Sequence, residues 1–289
     1  MVKTEMRFAG ISAILLFFAA TAFAVVDANS TTNTSDPNDG SPWANVGSVN
    51  GASGEYLGNG WVLTAYHVGA GTITFDSGAF AWDGQQIRLT NADNTRTDLL
   101  LFHLTIAPNL AALSLSSSTP TAGSIVDMEG YGRIRGSDEK TYSTASGTYM
   151  GFDWSAAGAK SWGTNTIDSG GVTTINQGFG PVHVFSMDFS KTPQTLNEGE
   201  GALGDSGGAV FSFNGTTLEL AGMMDAIGTF PNQPANTAVY GNETYAADIT
   251  YYRNQIATVT GIPEPSTIWM LALGSTALGL AARSKRRRL

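Results

Sequence analysis

The run Gly204-Asp205-Ser206-Gly207-Gly208, followed by the apolar Ala209-Val210-Phe211, sets a serine hydroxyl at a glycine-flanked bend that leads into a strand-like segment. Glycine allows backbone angles that a Cβ opposes. It also lets backbone N–H groups approach a reacting carbonyl, so a nucleophile and an oxyanion hole can be built from a few consecutive residues. Such a serine needs a base and an acid to orient that base. The chain has three histidines, His67, His103 and His183. His67 closes the short apolar run Gly60-Trp61-Val62-Leu63-Thr64-Ala65-Tyr66 and is the candidate base. His103, within an apolar run, and His183, between two valines, read as packing or surface residues. Asp98 opens Asp98-Leu99-Leu100-Leu101-Phe102. A carboxylate directly before a buried strand can be held dehydrated and turned toward an imidazole. Asp93 and Asp76 compete for that role, and Asp98 itself also fits a strand cap.

Together these segments resemble the trypsin/chymotrypsin-like serine endopeptidase family. The order His67, Asp98, Ser206 is the order of that family. Its base motif, Thr-Ala-Ala-His-Cys, has a counterpart in Thr64-Ala65-Tyr66-His67-Val68, and its acid motif in Asp98-Leu99-Leu100-Leu101. The nucleophile motif stands intact from Gly204 to Gly208, with weaker echoes at Pro42-Trp43, at Gly130-Tyr131-Gly132 and in an amphipathic stretch over 248–256. The resemblance implies peptide-bond hydrolysis through an acyl-enzyme. In that scheme Ser206 is nucleophile, His67 base and Asp98 orienting acid; Gly204 and Ser206 N–H form the oxyanion hole, and no cofactor or metal is required. It implies a polypeptide substrate, with Glu200, six residues before the nucleophile, at the base of the specificity pocket, where it would favour Arg or Lys. Glu198-Gly199-Glu200-Gly201 equally fits a solvated loop. In activated relatives the aspartate before the nucleophile pairs with a new N-terminal ammonium. Val25-Val26 superficially suits such a terminus, but the polar, glycine-poor stretch that follows favours an Asp205 satisfied by local donors and no zymogen step. Two departures stand out. Val68 occupies a usual cysteine position in a chain without cysteine, and Asp225 stands where relatives often have a serine beside the buried acid.

The elements that must position these residues read as all-β: short apolar runs between Gly-, Ser-, Thr- and Asn-rich turns. The resemblance implies two six-stranded antiparallel β-barrels and a short C-terminal helix. The first barrel (41–125) would carry His67 and Asp98, the second (126–245) Ser206, with the helix over 246–260 and the site at the seam. Residues 143–180, rich in Gly, Ser and Thr, read as elongated surface loops. Gly178-Phe179-Gly180 is too short for a phosphate cradle.

The chain ends speak of export. Residues 1–24 combine Lys3 and Arg7, an apolar stretch and Ala22-Phe23-Ala24, the pattern of a secretory signal peptide; an uncleaved anchor is the alternative. Residues 25–40 read as a flexible mature N-terminus. At the other end, Pro263-Glu264-Pro265, an apolar run over 267–282 and Arg283-Ser284-Lys285-Arg286-Arg287-Arg288 resemble a PEP-CTERM sorting signal (261–289). The run is short for a membrane span, for which ~20 residues is typical, and the cations would stay cytoplasmic. That resemblance implies Sec export from a Gram-negative cytoplasm and recognition by an exosortase-type membrane enzyme. The protein would be transiently anchored, then placed in the periplasm, outer surface or matrix; a plain tail anchor is the alternative. Between residues 25 and 282, 8 Lys+Arg face 23 Asp+Glu, a net charge of −15. A body this acidic argues against nucleic-acid binding. Two other functions fit the same features: a non-catalytic protease-like surface or matrix-binding protein, and an esterase using the same three residues.

Overall fold

The computed structural model describes residues 25–192 and 194–262. Residues 1–24, expected to be a signal peptide, and the apolar run 267–282 lie outside the described residues. No helix among those described is long and apolar enough to cross a membrane.

The chain opens with a two-residue strand, β1 (Val26–Asp27), and a 3-10 turn at Trp43–Asn45. Seven strands follow: β2 (Val46–Val49), β3 (Ala52–Gly58), β4 (Trp61–Ala65), β5 (Ile73–Phe75), β6 (Gly78–Phe80), β7 (Trp82–Thr90) and β8 (Arg96–Leu104). They form one sheet in the order β6-β5-β2-β3-β4-β8-β7. Two Asn-Gly turns build its centre: Asn50 (φ 50°) and Gly51 (φ 81°) join β2 to β3, and Asn59 (φ 50°) and Gly60 (φ 83°) join β3 to β4. Positive φ at both central residues is the turn geometry whose twist matches an antiparallel hairpin.

The chain continues through β9 (Ile125–Gly130), β10 (Arg133–Thr144), β11 (Gly147–Gly158), β12 (Ser161–Thr166), β13 (Thr173–Ile175), β14 (Val182–Asp188), β15 (Gly199–Glu200), β16 (Ala209–Phe213), β17 (Leu218–Gly228), β18 (Thr237–Val239) and β19 (Glu243–Asp248). The second large sheet runs β12-β9-β16-β17-β19-β14-β13, while β10, β11 and β18 form a separate three-stranded sheet. This is the chymotrypsin-like double-barrel architecture, with seven strands per sheet where six are expected. The three-residue edge strands β6 and β13 account for the difference. The helix α1 (Ile249–Thr260) begins later than residue 246 because β19 extends to Asp248. Asp248 caps it by accepting from Thr250 N (3.0 Å), and Gly261 ends it at φ 65°.

Two segments differ from their sequence reading. Residues 143–180 are largely strand, because Gly147, at φ 141°, turns the long β10–β11 hairpin. The mature N-terminus, expected to be flexible, is built in where it is apolar. Val25 and Val26 are fully buried, and β1 pairs antiparallel with β15.

One hydrophobic cluster serves both sheets. Leu57, Leu63 and Leu101 from the first pack with Phe211, Leu220 and Met223 from the second. Without cysteine, this shared burial holds the two halves together. Phe211→Ala should therefore lower unfolding stability by about 3–5 kcal/mol. Phe213→Ala, two residues along the same strand but 62% exposed, should change it by less than about 0.5 kcal/mol. Denaturant titration of both variants checks this; equal losses would contradict the shared core.

Candidate active site

The β4–β8 ladder positions His67 and Asp98. Ala65 pairs with Leu99, and one step further Tyr66 N donates to Asp98 O (2.9 Å). Asp98 therefore lies inside β8, level with the turn that begins where β4 ends. His67 N donates to Asp98 Oδ1 (2.9 Å), and His67 Nδ1 lies 2.7 Å from Asp98 Oδ2. The carboxylate is buried while the imidazole side chain is 24% exposed, so the ring keeps one edge open. The hydrogen bond to Asp98 raises the His67 pKa above the usual histidine range. Burial opposes this, and the charges of Asp98 and Asp225 add to it. The competing acids are engaged elsewhere: Asp93 accepts from Thr95, and Asp76 pairs with Lys160 (3.0 Å). His103 lies 2.7 Å from Asp83 and against Trp61, and His183 stacks on Tyr251.

The Ser206 turn belongs to the second sheet but is fastened to the first. Ser53 N donates to Ser206 O (3.0 Å) and Ser53 Oγ to Gly204 O (2.9 Å). Thr64, three residues before His67, donates through Oγ1 to Ser53 O (2.7 Å). A Cβ at Gly207, whose φ is 83°, would lie 2.2 Å from Ser53 O and 2.4 Å from Thr64 Oγ1. Only glycine lets the two strands and the turn meet. Among the described residues, the Gly204 and Ser206 N–H groups donate to no protein acceptor.

Asp205 is not satisfied by local donors alone, and that expectation is corrected. Its buried carboxyl accepts from Ala202 N (2.7 Å), from the distant Gly132 N (2.8 Å) and from Val25 N (3.3 Å). Burial pushes its pKa up to about 7, against the relief these three donors give. Glu200 is corrected too. It lies on β15 opposite Val26, fully buried, with neither carboxyl oxygen bonded, and burial drives its pKa well up. It does not line the cavity of about 140 Å³ beside Ser206, whose walls include Trp154, Leu203, Met224, Ile227 and Thr244. Pairing with the N-terminal strand turns Glu200 away, so an offset counted along the chain misplaces it.

Two further residues lie near His67: Phe179, which carried little sequence signal, and Asp225, which stands in the sequence where relatives often have a serine beside the buried acid. Phe179, placed between β13 and β14, sets its ring 5.1 Å from the imidazole, centroid to centroid. An aromatic between two glycines in a loop was the available hint. Asp225 reaches the same place from β17. His67, Asp98 and Asp225 each offer an atom within 4.8 Å of the others, and they are the one grouping among the described residues with a metal site's composition. Both oxygens of Asp98 already accept from His67.

Comparison with known proteins separates the domain from its tail. Residues 261–288 match the PEP-CTERM protein-sorting motif. No curated protein matches the sequence. Among solved structures, human heparin binding protein is similar at a TM-score of 0.51 and 14% identity, covering 80% of this chain and 96% of its own. Mouse neuropsin, a serine protease expressed in the limbic system of the brain, is similar at 0.51 and 17%, covering 78% and 97%. A variant of the heparin binding protein reaches 0.52 at 14% identity, covering 81% and 97%. The chain thus joins a domain of trypsin/chymotrypsin-like serine protease fold to the PEP-CTERM motif of an exported protein sorted at the cell envelope.

Proposed function

We propose that the protein is an exported serine endopeptidase with Ser206 as nucleophile, His67 as base and Asp98 as orienting acid. The observation that carries this reading is the 2.7 Å His67–Asp98 pair, formed where Ser53 and Thr64 fasten the Ser206 turn. In this scheme His67 accepts the Ser206 Oγ proton during attack on the scissile carbonyl and passes it to the leaving amine. Asp98 fixes the imidazole tautomer and stabilises the imidazolium without taking the proton. The free N–H groups of Gly204 and Ser206 receive the oxyanion, each donor contributing about 3 kcal/mol in the transition state. Because the His67 pKa is raised and the base acts unprotonated, activity should rise with pH through a point above the ordinary histidine value of 6.5. The fold alone also fits a binding protein, since one neighbour is named for heparin binding. A net charge of −15 over residues 25–282 disfavours a polyanion partner here. A binding surface also has no need of a buried acid aligned on a half-open imidazole.

The N-terminus belongs to the same reading. Val25 is β-branched yet has φ of 33°, a strained angle for such a residue, and that angle is defined by the bond to Ala24. Signal-peptide removal after Ala24 would abolish the strain and turn the Val25 amide into an ammonium facing the Asp205 carboxylate. Export processing and assembly of the Ser206 turn would then be one event. At the other end, an exosortase-type enzyme would act at the tail, after Sec export. The cavity beside Ser206, with Leu203, Met224 and Ile227 in its walls, supports a preference for small or medium aliphatic side chains before the scissile bond.

A fluorophosphonate probe should label the processed protein and lose labelling in Ser206→Ala and His67→Ala. Unlabelled but correctly folded wild type would favour the binding reading. The mature chain should begin at Val25 by intact mass. One extra residue ahead of Val25 should cost at least tenfold in labelling rate, about 1.4 kcal/mol, whereas an unchanged rate would contradict the Val25–Asp205 contact. Peptide-library cleavage should favour aliphatic residues, and dominance of Arg or Lys would restore Glu200 to the pocket.

A further inference from the structure

Asp225 is the extra residue of a β-bulge: the β17–β19 register slips between Met224 and Ala226. A bulge leaves its residue out of the ladder and re-aims the side chain. Here it aims a carboxyl that is only 6% exposed, and whose Oδ1 has no hydrogen-bond partner, into the space holding His67 and Asp98. Asp98 is well supplied, with one donor on each oxygen, whereas Asp225 has no such support on Oδ1. Two carboxyls in one buried space do not both ionise cheaply. Asp225, the less supported of the two, therefore takes up a proton readily.

The charged and titratable groups facing Asp225 come from four places in the chain. Asp98 projects from β8 and His67 from the turn after β4. Tyr252 of α1 feels its charge, and Asp205 shares the cavity wall. Burial and then the Asp98 charge push Asp225 up to about 7, with His67 opposing. Asp225 and His67 can then exchange the same proton. With the proton on Asp225, the imidazole is a free base; with it on His67, an imidazolium is held between two carboxylates and cannot accept from Ser206.

We infer that Asp225 is a positioning residue that competes with His67 for one proton and so sets the pH at which the base becomes available. This rests on the proposed role of His67 as base. The experiment is therefore an NMR titration of the His67 imidazole, which reads whether or not peptide is cleaved, run beside the pH profile of kcat/KM. In Asp225→Asn, the His67 midpoint and the acid limb of the profile should both fall by about one pH unit, the effect of removing a charge at this range. An unmoved midpoint in a variant that unfolds like wild type would overturn the inference. Asp225→Ser gives a second test with a smaller side chain. Should neither variant fold, the wild type decides: a two-step His67 titration supports proton competition, and a single step contradicts it. Loss of cleavage with the midpoint shift intact would count against the protease reading and leave the Asp225 coupling standing.

Discussion

Everything at this site depends on how the Ser206 turn is tied to the β3–β4 hairpin of the other barrel. Ser53 holds Gly204 O and Ser206 O, and Thr64 holds Ser53. The same hairpin runs on into the turn that bears His67. Two pieces of chain from opposite barrels are thus fixed in one frame by two hydrogen bonds, and the third braces the hairpin that makes them. Gly207 is the residue that lets them approach. The hydrophobic cluster shared by Leu57, Leu101, Phe211 and Met223 lies behind this frame and keeps it closed without disulfides. Burial supplies the bulk of the stability, while the hydrogen bonds supply the register.

The seam is also where buried acid accumulates. Asp98, Asp205, Asp225 and Glu200 are all removed from water, and each meets that cost differently. Asp98 is satisfied by His67. Asp205 collects three backbone donors, one of them Val25 N. Asp225 lies beside Asp98 with Oδ1 unbonded, and neither Glu200 oxygen has a bonded partner. Burying an unpaired charge is expensive, so burial pushes the pKa of both upward.

Much of this was legible in the sequence where a short motif carried it. The Gly204–Gly208 turn, the histidine after Thr64-Ala65-Tyr66 and the aspartate leading Leu99-Leu100-Leu101 are local patterns, and the ladder brings His67 and Asp98 within bonding distance. What escaped depends on pairing between distant strands. Glu200 was misplaced because an offset along the chain cannot see that β15 pairs with β1. Asp225 stood out as a departure beside the buried acid, but its aim at His67 needed the bulge in β17, and Phe179 needed a loop folded back over His67. Val25 looked like the start of a polar tail, yet its two valines are buried. The long β10–β11 hairpin hid behind a composition rich in Gly, Ser and Thr.

The most direct test of the central claim is the crystal structure of the processed protein with a peptidyl boronate of aliphatic side chain. The account predicts a tetrahedral boron bonded to Ser206 Oγ, one oxygen within hydrogen-bond distance of Gly204 N and Ser206 N, and His67 still paired with Asp98. A boronate bound elsewhere, or left trigonal in a pocket with Ser206 turned away, would contradict it.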